Sequence, residues 1–116
     1  VFITIDPKIY ISRDHKKGTC EHQAILDHEM KHVMVDRAMV RKYAPILKDE
    51  MEKEIRNVGI VGPKPIHETS KYTDKVRDYI AKRMSDVIET LYAEKKQRQQ
   101  AVDTLEEYEH VANMCR

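Results

Sequence analysis

The chain has 116 residues and a formal charge of +1, and acidic and basic residues, which make up 35% of it, are interspersed. This length suits a single domain with one core, so we expect one domain over residues 1–116. The balanced charge predicts no nucleic-acid partner, and no apolar run approaches the ~18 residues that a membrane span needs.

Two short runs near the N-terminus, residues 1–5 and 9–12, are rich in β-branched and apolar side chains. Asp6, Pro7 and Lys8 lie between them and are typical of a turn. We therefore expect a β-hairpin, or one edge strand bent at the proline, in front of the helices. The predicted fold class is α+β, mostly α.

A long helical pattern follows, from Cys20 to about Asn57, with Thr19 as a plausible N-cap. Pro45 lies inside this pattern, so we expect the helix either to kink there or to end and restart. An apolar stripe at three- and four-residue spacing continues past the proline and predicts a packed face. The stripe comprises Val40, Ala44, Leu47, Met51 and Ile55.

A break rich in Gly and Pro at residues 59–65 separates this helix from a second long one. Thr69 or Ser70 can cap the second helix, whose own apolar stripe predicts an antiparallel hairpin with the first. That stripe comprises Val76, Ile80, Met84, Val87 and Leu91.

The C-terminal part predicts a short last helix. Residues 95–100 are wholly polar, which is typical of a solvated turn or of the end of a helix. Two overlapping capping boxes follow, Asp103 with Glu106 and Thr104 with Glu107.

The two cysteines, Cys20 and Cys115, can form one disulfide or remain two thiols. A bridge would favour the periplasm or secretion, because cytosolic thiols stay reduced. The localisation is otherwise left open, and so is the oligomeric state.

The first long helix carries the motif His28-Glu29-x-x-His32. Residues four apart in a helix lie on one side about one turn apart, so both imidazoles can bind one metal ion. Glu29 lies roughly 100° around the axis from His28, where it can flank a water molecule on that ion. Apolar residues surround the motif and predict a buried helix, in which polar side chains need partners.

This motif resembles that of the zincins, the HExxH zinc metallopeptidases, over these five residues and their helical setting. The resemblance implies zinc held by His28, His32 and a third ligand, with Glu29 as general base and a peptide or protein as substrate. Residues 33–40 contain neither Gly nor His, which excludes the metzincin signature. The chain therefore resembles a small version of the gluzincins, in which the third zinc ligand is a Glu from a downstream helix.

Glu107 is the predicted third ligand. If Cys20 and Cys115 are bridged, His28 and Glu107 both lie eight residues from the bridge. Both are then about 12 Å from it, and antiparallel packing brings them level. The alternatives are Glu106, Glu94 and Asp36.

Other polar residues have smaller predicted roles. Asp36 or Asp27 can accept a hydrogen bond from an imidazole N–H. Tyr108 can donate one to a developing oxyanion, and His110 is a reserve metal ligand. The alternative function is a non-catalytic helical interaction module with a structural or vestigial metal site.

Overall fold

A computed structural model describes residues 3–59 and 65–116 of the chain. Three helices follow one another: α1 (Cys20–Val58), α2 (Ile66–Val102) and α3 (Leu105–Asn113). The described residues contain no strand, so the predicted α+β class with an N-terminal β-hairpin or edge strand is wrong. Residues 1–2, at the start of the first predicted strand, lie outside the described part.

Two β-branched residues before α1, Ile3 and Ile5, lie against the helices, and no strand pairs with them within the described residues. A strand needs a neighbouring strand for its backbone hydrogen bonds, and an isolated hairpin is marginal in water. Ile3 instead packs against the apolar core of the helices. Ile5 lines a groove with Leu91 of α2. Burial on a helical surface therefore takes the place of the predicted strand pairing.

α1 begins and ends with local signals. The Thr19 side chain is the N-cap and accepts a hydrogen bond from the backbone N–H of His22, as predicted. Gly59 ends the helix with a φ of 72°, a left-handed conformation that glycine adopts without steric cost, and its N–H bonds the carbonyl of Ile55. Pro45 does not end the helix, so the predicted end and restart is wrong.

α1 and α2 form an antiparallel hairpin. Its buried core consists of Met39, Tyr43 and Leu47 from α1 and Met84 from α2. Burying each such side chain contributes roughly 1.5–3 kcal/mol. Tyr43 and Leu47 lie on either side of Pro45, and their packing explains why the helix continues through a residue that lacks an N–H. The partly buried residues around this core are Ile3, Val35, Met51, Ile80, Val87 and Leu91.

α2 extends further in both directions than the sequence indicates. It begins at Ile66, so neither Thr69 nor Ser70 is its N-cap. It also continues helically through residues 95–100 to Val102, and this polar stretch is not a turn. One side of the stretch lies against α1, where Lys95 forms an ion pair with Asp36 at 3.3 Å.

α3 returns to the beginning of α1. The Thr104 side chain caps it by accepting from the N–H of Glu107 at 3.1 Å. Cys20 and Cys115 lie at disulfide distance, with sulfurs 2.08 Å and Cα atoms 5.7 Å apart. The start of α1, the end of α2 and α3 therefore meet at one end of an elongated molecule of 72 × 24 × 16 Å. No helix in the described ranges is both long and apolar enough to cross a membrane.

Candidate metal centre

The two histidines of the motif lie one turn apart on α1, near the end where all three helices meet. Their ring centroids are 5.2 Å apart and the rings are almost perpendicular. His28 is buried, with 8% of its surface exposed, and His32 is half-buried. The position of both histidines on one side of α1 follows from the helical repeat, because residues four apart share one face.

Asp103 provides the oxygen that faces both histidines. Its Oδ1 lies 3.2 Å from Nε2 of His28 and 2.9 Å from Nε2 of His32. The ligand atoms that the three residues offer all lie within 4.8 Å of one another. Asp103 reaches this position because it is the C-cap residue of α2, directly after the helix that packs along α1. Two imidazole nitrogens and one carboxylate oxygen could hold a metal ion.

The hydrogen bond of His32 at Nδ1, the ring nitrogen that faces away from Asp103, determines which nitrogen has the hydrogen in the neutral ring. Nδ1 faces Oε1 of Gln99. Nε2 of Gln99 lies 3.0 Å from Oδ1 of Asp36 and 3.2 Å from the carbonyl oxygen of His32. Because both oxygens are acceptors, these contacts determine which end of the Gln99 amide is the nitrogen. Oε1 of Gln99 is also an acceptor, so Nδ1 of His32 carries the hydrogen.

His28 is held in the same way by Glu107. Its Nδ1 lies 3.2 Å from Oε1 of Glu107, and the same oxygen bonds the ammonium of Lys31. The hydrogen bond from Lys31 lowers the pKa of Glu107, and the bond from His28 adds to this effect. The carboxylate is therefore ionised at neutral pH and accepts only, so Nδ1 of His28 also carries its hydrogen.

In the neutral form of each ring Nε2 therefore has a lone pair, and both Nε2 atoms are directed at a carboxylate oxygen of Asp103. Lone pairs of three acceptors repel one another unless a cation lies among them. When that cation is a proton, burial lowers the pKa of His32, but the hydrogen bonds to Gln99 and Asp103 and the negative charges of Asp103 and Glu29 together raise it. A divalent metal ion would satisfy all three atoms at once, so the residues fit such an ion.

Glu107, the predicted third ligand, lies beside His28 but on its Nδ1 side. It is thus separated from the Nε2 atoms by the imidazole ring. Oδ1 of Asp103, and not a Glu107 oxygen, faces the Nε2 atoms of both histidines. In zinc sites a carboxylate that accepts from a ligand histidine orients the ring and raises its basicity.

The other candidate ligands lie elsewhere. Glu94 pairs with Lys42, and Asp27 accepts from Gln23 at 2.7 Å. Glu106 and His110 are exposed and do not belong to the cluster. Asp36 approaches the site only through Gln99.

Glu29 and Tyr108 line the same cavity of about 450 Å³ as the cluster. The Tyr108 ring lies 5.7 Å from that of His28, and its hydroxyl bonds Asp103. The negative charge of Asp103 is the main cause of a raised pKa for Tyr108, followed by burial and the hydrogen bond to Asp103. The phenol therefore keeps its hydrogen and remains a donor. Ile25 and Val111 add an apolar side to the cavity.

Sequence reasoning missed Asp103 and Gln99. Asp103 was considered only as a capping residue, and Gln99 lies in the stretch predicted to be a turn or a helix end. One signal was available: Asp103 lies twelve residues before Cys115, and His32 lies twelve after Cys20. The same bridge argument that pairs Glu107 with His28 therefore pairs Asp103 with His32.

Comparison of the chain with protein-family models, curated proteins and solved structures gives no match. What the chain does must be inferred from the chemistry of its own residues.

Proposed function

We propose that the chain is a zinc-dependent hydrolase that cleaves peptide bonds. The observation that carries the proposal is the convergence of two histidine Nε2 lone pairs and Oδ1 of Asp103 at one point of an open cavity. Glu29 lines that cavity but is not part of the cluster. A carboxylate so placed is free to exchange protons.

Zinc suits this donor set better than the harder cations. Imidazole nitrogens favour zinc and its transition-metal neighbours, whereas calcium and magnesium prefer oxygen ligands throughout. Catalytic zinc sites use three protein ligands and keep one position open, while structural sites are closed by four. His28, His32 and Asp103 make three, and the cavity leaves room for a small ligand beside them.

The residues around the site can perform the proton transfers of hydrolysis. When bound, zinc supplies Lewis acidity, which polarises a carbonyl group and acidifies water. Glu29 accepts a proton from the attacking water, whose oxygen forms a bond with the carbonyl carbon. The C–N bond then breaks as Glu29 returns the proton to the leaving amine. The Tyr108 hydroxyl, once it turns away from Asp103, donates a hydrogen bond to the oxygen that becomes negative.

A peptide is the substrate that resemblance to the zincins favours, although the same groups would suit another amide or an ester. The apolar side of the cavity, made by Ile25 and Val111, offers a surface for an apolar substrate group. The cysteine pair supports a location in an oxidising compartment, such as the periplasm or the extracellular space.

The second candidate is a helical interaction module whose metal site is structural or vestigial. The observation in its favour is the 72 Å length of the molecule, most of which extends away from the site as a two-helix hairpin. The two candidates differ at Glu29, because an interaction module has no use for a base.

The test compares Glu29→Gln with Glu106→Gln, a matched control on the exposed side of α3. Purified proteins are stripped of metal, dialysed against zinc, and assayed for zinc content and for cleavage of a mixed peptide library. We expect about one zinc per chain in all three proteins, and loss of cleavage by at least about a hundredfold only in Glu29→Gln. A chain that binds no zinc would refute the metal site. A Glu29→Gln variant that cleaves as fast as the wild type would refute the role of Glu29.

A further inference from the structure

The polar contacts behind His32 form a chain that crosses between the two long helices. Gln99, on α2, bonds Nδ1 of His32 through Oε1, and its Nε2 donates to the carbonyl oxygen of His32. The same Nε2 donates to Asp36, one turn further along α1, which is paired with Lys95 of α2. Every polar atom of the Gln99 amide therefore has an assigned partner.

We propose that Gln99 is a positioning residue for metal binding, which holds His32 with Nε2 toward Asp103. This inference rests on the proposed metal site. A ligand imidazole can rotate about χ2 and can carry its hydrogen on either nitrogen. With Oε1 of Gln99 accepting from Nδ1, the neutral ring has its lone pair on Nε2, where it can bind a metal ion.

Asp36 determines which end of the Gln99 amide faces His32. An amide can flip its oxygen and nitrogen by rotation, and a flipped Gln99 would present an N–H to Nδ1 and favour the wrong tautomer. Asp36 opposes the flip, because its carboxylate would then face the amide oxygen at about hydrogen-bond distance. Lys95 holds the Asp36 carboxylate in place by an ion pair of 3.3 Å.

The arrangement differs from that at His28, where a carboxylate accepts from Nδ1. His28 is buried and paired with an ionised group, whereas His32 is more exposed and paired with a neutral amide. On the Nδ1 side, the orientation of His32 therefore depends on the geometry of a neutral amide and not on an ionised partner. This makes the site sensitive to a substitution that keeps the shape of Gln99 but removes its acceptor.

The principal variant is Gln99→Met, which keeps the length of the side chain and removes its three hydrogen bonds, to Nδ1 and the carbonyl oxygen of His32 and to Asp36. Gln100→Met, at an exposed neighbouring position of α2, is the matched control. The affinity for zinc is measured by competition with a chromophoric chelator at one pH. The visible spectrum of the cobalt-substituted protein reports the ligand geometry, and thermal unfolding of the metal-free proteins reports folding.

We expect Gln99→Met to bind zinc about 10- to 100-fold more weakly and to change the cobalt spectrum, the usual effect of removing a partner of a ligand histidine. Gln100→Met should match the wild type in both measurements. The combination of Gln99→Glu with Asp36→Asn keeps an acceptor for Nδ1 and a donor on the Asp36 side, although the carbonyl oxygen of His32 loses its donor. It should bind zinc more tightly than Gln99→Met by about tenfold, a rescue that a merely structural role would not produce.

The outcomes separate this inference from the proposed function. If the wild type binds no zinc, the metal site itself is refuted. If the wild type binds zinc and Gln99→Met binds it equally well, only the positioning role is refuted. The role is also refuted if the double substitution binds zinc as weakly as Gln99→Met.

Discussion

Removal of the Cys20–Cys115 bridge should both destabilise the chain and weaken metal binding. α3 has no buried residue, so apolar packing contributes little to its attachment. Glu107 ties it to α1 through His28 and Lys31, and the bridge does so at its C-terminal end. Without the bridge, Glu107 and the contacts of Tyr108 with His28 and Asp103 would have to hold α3 in place.

The size of the effect follows from the 95 residues that the bridge spans, for which loop-closure entropy gives about 4.7 kcal/mol at 25 °C. Measured values are commonly smaller, about 2–4 kcal/mol. For a chain of 116 residues the unfolding entropy is about 0.24 kcal/mol/K. The melting temperature should therefore fall by about 8–20 °C. Release of Glu107 from His28 should also weaken zinc binding about 10- to 100-fold.

The assay uses the double variant Cys20→Ser, Cys115→Ser, so that no reductant is present to chelate zinc. Thermal unfolding is followed by circular dichroism without metal, and zinc affinity is measured by chelator competition. The reduced wild type, melted without metal, should match the double variant. A melting temperature within about 3 °C of the oxidised wild type would refute the stability argument. Unchanged zinc affinity would show that α3 stays in place without the bridge.

Two further predictions concern single carboxylates. Asp103→Ala should lower zinc affinity by more than about a hundredfold, because a zinc site with four ligands is worth about 10–16 kcal/mol and each ligand contributes some 3 kcal/mol of that. Zinc titration of this variant beside Glu106→Gln checks the prediction, and equal affinities would exclude Asp103 as a ligand. The hydrogen bond from Lys42 is the main cause of a lowered pKa for Glu94 in the folded chain. The stability that Glu94 contributes is therefore present above its unfolded pKa, near 4.5, and is lost as the pH falls below that value. Glu94→Gln should therefore lose less stability than the wild type on acidification from pH 6 to pH 3, as measured by urea unfolding, and identical losses would contradict the assignment.

Relations within one helix could be predicted from the sequence, because covalent geometry determines them. The His28 and His32 pair, the Thr19 cap and the left-handed Gly59 all depend on residues within one or two turns of each other. The antiparallel hairpin was also predictable, since two apolar stripes separated by a break have few other ways to become buried. The N-terminal strand was not, because strand formation depends on a partner that the chain does not present within the described residues.

The third member of the candidate metal cluster was decided by tertiary structure. The distance from the cysteine bridge correctly brought Glu107 to the level of His28. A position along the helix axis does not determine how α3 is rotated about that axis. Packing of α3 turned Glu107 toward Nδ1, while the helical course of residues 95–102 carried Asp103 to the Nε2 side. The sequence by itself determined which imidazoles share a face. Only the packing of α2 and α3 on α1 decided which oxygen they meet, because rotation between helices is set by side-chain interlocking and not by residue spacing.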